Sequence, residues 1–140
     1  GVVVSTHLVL THEWSLTALW LSLPLGLLIA AFLWVNEFPD YEADRAAGKR
    51  NLVARLGRQR AAALYPLWYA GALALGLGLP VLGLPPLSLL GTLFAVPACL
   101  ACFWVLRDPT GFHRRNPAQP MALAAFLLYS LGTGSGIVLA

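Results

Sequence analysis

The chain has 140 residues, of which 59% are apolar and only 11% charged, with a formal net charge of +3 at neutral pH. A soluble domain carries about a quarter charged residues, so this composition excludes one and points to a single membrane-embedded helical domain over 1–140. The small positive balance sits in two clusters, which excludes nucleic acid as a partner.

In chain order, Val2 to Leu10 reads as the tail of an earlier apolar helix. No initiator Met and no basic n-region precede it, so no signal-peptide pattern is present. The chain is therefore expected to be the C-terminal part of a larger membrane protein. His7 and His12 stand before the first full span and read as interfacial residues.

Four apolar segments follow, Trp14 to Val35, Ala61 to Leu82, Leu87 to Leu106 and Met121 to Ala140, each free of Asp, Glu, Lys and Arg. Each is close to the ~20 residues that cross a hydrocarbon core as a helix. Backbone groups in lipid must bond internally, and the period-2 alternation of a barrel is absent, so these are helices. The expected fold class is an all-α integral membrane protein with about four transmembrane helices plus the tail of a preceding one. Small residues four apart, Ala72 with Gly76 and Gly132 with Gly136, read as close helix packing. Cys99 and Cys102 lie inside an apolar run with no neighbouring His or second Cys pair, and read as small core residues.

Charge in the loops sets orientation. Arg45, Lys49, Arg50, Arg55, Arg58 and Arg60 fall between the first and second spans, and Arg107, Arg114 and Arg115 between the third and fourth. The loop Gly83 to Pro86 has no charge. The positive-inside rule places both basic loops in the cytoplasm and Gly83 to Pro86 opposite. Tyr65, Trp68 and Tyr69 follow the first of these loops and read as an interfacial aromatic belt. The loop with His113 reads as an orientation and anionic-lipid contact.

The stretch 36–60 is the candidate site. It holds four of the six carboxylates, Glu37, Asp40, Glu42 and Asp44, against a span end. Pro39 disfavours helix at Phe38 and can open a new helical segment. Asn36, Asp40 and Asp44 are spaced by four and would share a helix face, with Asn36 on the far side of the Pro39 break. Gly48 offers a helix C-cap, and Lys49 and Arg50 follow it. Two carboxylates suit Mg²⁺, which takes one or two of them with phosphate oxygens and water, and the paired bases suit phosphate. Spacing alone leaves open a solvated loop with internal ion pairs.

The run Asn36-x-x-x-Asp40-x-x-x-Asp44-Arg45-Ala46-Ala47-Gly48-Lys49-Arg50-x-Leu52-x-x-Arg55-Leu56-Gly57 resembles the second Asp-rich motif of the UbiA superfamily of intramembrane prenyltransferases. It looks closest to the 1,4-dihydroxy-2-naphthoate polyprenyltransferase branch. The resemblance implies the C-terminal half of a nine-helix bundle in the cytoplasmic membrane. It implies Mg²⁺-dependent transfer of a polyprenyl group from its diphosphate to an aromatic acceptor, as in menaquinone-type quinone biosynthesis. Asp40 and Asp44 would be the catalytic metal ligands, supported by Asn36, with Lys49 and Arg50 on the diphosphate. Glu42 receives no role. The first Asp-rich motif of the superfamily has no counterpart among these residues, so half a site and no turnover are expected from them alone, with the preceding helices as the missing partner.

Two other classes remain open: a transporter or channel whose carboxylates bind a cation, and a structural membrane subunit. A transporter more often places ionisable groups near the bilayer midplane, whereas these stand at a span end.

Overall fold

A computed structural model describes residues 8–110 and 116–140, and all regular elements among them are helices. Helix α1 (Leu16–Asn36) starts at Ser15, whose hydroxyl accepts the Ala18 N–H at 3.1 Å. Pro24, Leu28, Ala31 and Val35 are its buried stripe, while Leu19, Leu23, Ile29 and Leu33 point outward. A helix apolar on every side is suited to lipid rather than water. At 1.5 Å per residue its 21 residues run about 31 Å, the thickness of a hydrocarbon core.

Three short helices follow: α2 (Tyr41–Ala46), α3 (Leu52–Leu56) and α4 (Arg58–Leu64). Helix α5 (Pro66–Leu77) leads into a 3₁₀ helix, Leu79–Leu82. A second 3₁₀ helix, Pro86–Phe94, runs directly into α6 (Ala95–Arg107), and α7 (Ala118–Val138) closes the chain.

Three segments are long and apolar enough to cross a membrane: Leu16–Asn36, Pro86–Arg107 and Ala118–Val138. The remaining expected span, Ala61 to Leu82, is interrupted. Pro66 has no N–H to donate, so α4 and α5 divide there; Gly78 then ends α5, and the chain tightens into the 3₁₀ turn. The apolar tail expected over Val2 to Leu10 falls mostly outside the described residues, as do His7, His113, Arg114 and Arg115.

The core lies where α1, α5, α6 and α7 meet. Leu28, Ala31, Val35, Ala72, Ala98, Ala101, Val105, Ala122 and Ala125 are buried in it. Trp34 meets Trp68 edge-on at 5.4 Å, and Phe94 meets Tyr129 at 5.9 Å. The belt expected of Tyr65 and Tyr69 does not form. Both are buried, their rings stand edge-to-face and their hydroxyls are 2.8 Å apart. Inside the bundle each phenol finds in the other the partner that an interfacial site would take from water.

The closest packing is between α7 and the 3₁₀ helix Pro86–Phe94. Three residues per turn bring Ser88, Gly91 and Phe94 onto one line, and all three are buried. Gly132 and Gly136 of α7 lie against this line. A Cβ at Gly132 would stand 2.7 Å from the Leu90 carbonyl oxygen, and one at Gly136 would collide with the Leu87 carbonyl. The small-residue pair is thus a packing device.

Candidate functional site

The polar end of the bundle is built by the turn after α1. Residues 37–40 form turns, with Glu37 N–H on the Trp34 carbonyl at 3.1 Å, and α2 begins only at Tyr41. Pro39 therefore stands in the turn rather than in the first turn of a helix. Asp40 is the N-cap of α2 and makes no side-chain cap bond. Asp44 N–H bonds the Asp40 carbonyl at 2.8 Å, so the two residues are one helical turn apart.

Gly48 ends α2 in the left-handed region, with φ +68°. Its N–H reaches the Arg45 carbonyl at 3.1 Å, and the Lys49 N–H reaches the Asp44 carbonyl at 2.9 Å. This 6→1, 5→2 pair is a Schellman motif, which glycine enters without a Cβ penalty. The turn folds Lys49 back onto Asp44, and its Nζ lies 2.7 Å from Asp44 Oδ1. Asp44 raises the Lys49 pKa above its ordinary value, through the hydrogen bond first and then through charge, with a smaller push from Asp40.

Asp44 is buried although α2 lies outside the apolar spans. Its second oxygen, Oδ2, accepts from Asn51 Nδ2 at 2.6 Å. Asn51 is also the N-cap of α3, with its Oδ1 accepting the Ala54 N–H at 2.7 Å. Glu37 Oε2 accepts the Val53 N–H at 3.0 Å, a second acceptor at the positive end of α3. Glu42 stands 3.5 Å from Arg58 Nη1. Two of the four acidic side chains are therefore spent on tying the loop together. Asp40 remains exposed, and Asp44 is oriented by Asn51 and Lys49.

The other expected site residues are placed differently. Asn36 ends α1, where its Oδ1 accepts from Gln119 Nε2 of α7 at 2.8 Å. Arg50 is exposed and makes no hydrogen bond or ion pair among the described residues. Arg58 donates to the Thr110 carbonyl at 3.0 Å and to the Phe38 carbonyl at 3.4 Å.

The model of the UbiA prenyltransferase family matches residues 1–131. The chain belongs to the UbiA prenyltransferase family. No curated protein and no solved structure matches the chain. Family membership and the three long apolar helices make it an integral membrane protein of the prenyltransferase class.

Within this UbiA-family chain, Mg²⁺ is a matter of donor chemistry. Among the described residues no three His, Cys, Asp or Glu side chains converge. Asp40 and Asp44 would supply the one or two carboxylates that Mg²⁺ takes when phosphates and water complete its octahedron. Asp44 already pairs with the Lys49 ammonium at 2.7 Å, so an ion there would take the place of that ammonium. In donor type the two carboxylates fit the ion.

Sequence reasoning missed Asn51, Arg58 and Gln119. Asn51 carried a local signal, a capping residue just before the apolar start of α3. Arg58 and Gln119 carried none, because their partners are remote in sequence.

Proposed function

We propose that the chain contributes the Asp40–Asp44 half of a site that transfers a polyprenyl group from its diphosphate to an aromatic, quinone-precursor acceptor. The observation that carries this reading is Asp44, a buried carboxylate fixed by Asn51, in contact with Lys49 and one turn from Asp40.

Asp40 and Asp44 would hold Mg²⁺ against the diphosphate. When bound, that ion neutralises the leaving group and lowers the barrier to its departure. Lys49 follows the Gly48 turn on a long, exposed stem, so its ammonium can exchange Asp44 for a phosphate oxygen. Arg50 presents a guanidinium fork to a second phosphate. Asn36, tied to Gln119, holds the end of α1 beside the motif. The basic loops face the cytoplasm, where the positive-inside rule puts them. Only one acidic cluster lies in the 140 residues, so the remaining metal ligands come from outside them. The resemblance to the menaquinone-type branch supports a naphthoate-like acceptor.

The ionisable groups of the motif stand in and around the short helix α2, past one end of α1 and not along its middle. That placement gives a transporter reading no support. The test is prenyl transfer by Asp40→Ala and Asp44→Ala in the whole enzyme. A fall of at least about 100-fold is expected, since a lost metal ligand is worth several kcal/mol. Near-normal turnover at saturating Mg²⁺ and prenyl diphosphate rejects the assignment.

A further inference from the structure

Asp40 is the exposed member of the carboxylate pair, and no side-chain cap bond holds it. Its place in space must come from its neighbours. Those neighbours converge on one side chain. Arg58 Nη2 donates to the carbonyl of Phe38, two residues before Asp40, at 3.4 Å. The Arg58 guanidinium lies 4.7 Å over the ring of Tyr41, the residue after Asp40. Nη1 stands 3.5 Å from Glu42 Oε1 and donates to the Thr110 carbonyl at 3.0 Å.

We propose that Arg58 is a positioning residue for Asp40, bracing the 38–42 turn from both flanks and anchoring it to the 108–110 segment after α6. The proposal rests on the reading of Asp40 as a metal ligand.

Five features support it. Arg58 is largely withdrawn from water, with 17% of its side chain exposed, so its bonds are less screened than those of a surface arginine. Its planar fork meets two carbonyls and a ring face at once, which a lysine ammonium cannot copy. Its own backbone is aimed by Gly57, whose φ of +80° turns the chain between α3 and α4. Asn51 caps α3 and bonds Asp44, so α3 sits between the residue that fixes Asp44 and the one that braces Asp40. Arg45 reaches the Tyr41 hydroxyl at 3.0 Å and steadies the ring on which Arg58 rests.

The test uses the protein in lipid nanodiscs, with two readouts. Amide hydrogen exchange over residues 38–46 reads the brace directly. Mn²⁺ titration by electron paramagnetic resonance, with a non-hydrolysable prenyl diphosphate analogue present, reads the ligand. Arg58→Ala should speed exchange over 38–46 and weaken Mn²⁺ by roughly 10-fold or more, as loss of an outer partner of a metal ligand commonly does. Arg58→Lys should recover only part of either, and Tyr41→Leu should reproduce part of the defect if Arg58→Ala fails to fold. Arg60→Ala, an exposed neighbour, should match the parent protein. Unchanged exchange in Arg58→Ala overturns the brace. Faster exchange with unchanged Mn²⁺ affinity, where Asp40→Ala does weaken Mn²⁺, overturns the positioning role. Mn²⁺ affinity indifferent to Asp40→Ala sinks the metal reading instead, and the exchange result still decides the brace.

Discussion

Asn51 donates to Asp44 Oδ2 at 2.6 Å while its own Oδ1 accepts the Ala54 N–H at 2.7 Å. One amide thus aims a buried carboxylate and starts a helix. The two tasks can be separated. Serine caps a helix about as well as asparagine but is too short to reach Asp44, whereas alanine does neither. Asn51→Ser should leave the melting temperature near that of the parent and weaken Mn²⁺ binding about 10- to 100-fold. Asn51→Ala should weaken binding equally and also cost about 1 kcal/mol of stability. Parent-like Mn²⁺ affinity in the serine variant would show that Asp44 needs no such partner.

The Arg58 to Thr110 contact puts the loop after α1 and the segment after α6 at one end of the bundle. Gly83 to Pro86 should face the other side of the membrane. Cysteines introduced singly at Ala47, Leu84 and Thr110, after replacement of Cys99 and Cys102, can be labelled in sealed vesicles with an impermeant maleimide. Positions 47 and 110 should react from the same side and position 84 only after permeabilisation. Labelling of 84 together with 47 would defeat this topology.

Gly136 packs where a Cβ would collide with the Leu87 carbonyl, whereas Gly134, two residues earlier, faces open space. The colliding atom is backbone and has no rotamer with which to yield. Gly136→Ala should therefore destabilise the bundle by about 1–3 kcal/mol, the usual cost of overpacking. Gly134→Ala should leave it unchanged. Unfolding in mixed detergent micelles compares the two, and equal midpoints would mean that α7 and the 3₁₀ segment are not in this close register.

Residues 1–140 by themselves should insert into membranes yet transfer no prenyl group. Asp40 and Asp44 serve about one Mg²⁺, given that ion's demand for octahedral oxygen. Transfer of a radiolabelled prenyl group to a hydroxynaphthoate acceptor reads the outcome. Helices carrying a second acidic motif, supplied as a separate chain, should restore activity, since packing between membrane helices can rejoin a divided bundle. Robust transfer by 1–140 alone would refute the need for a second set of ligands.

Hydropathy by itself determined that α1, the Pro86–Arg107 segment and α7 are apolar helices, because length and freedom from charge decide what crosses a bilayer before any packing is known. The Asp40–Asp44 relation and the Gly48 turn were also legible, since each rests on bonds between residues only three to five apart. The tertiary structure decided the rest. Pro66 divides a run that hydropathy reads as continuous, because hydropathy does not register a missing N–H. Tyr65 and Tyr69 turn inward because neighbouring helices pack over them, and there each hydroxyl has the other as its partner. Asn36 meets Gln119 across 83 residues and Arg58 meets Thr110 across 52, distances over which sequence spacing carries no geometry. Those contacts exist only because packed helices bring their polar ends together, and it is there that the contacts of Glu37, Glu42, Asn51 and Arg58 around the two aspartates are made.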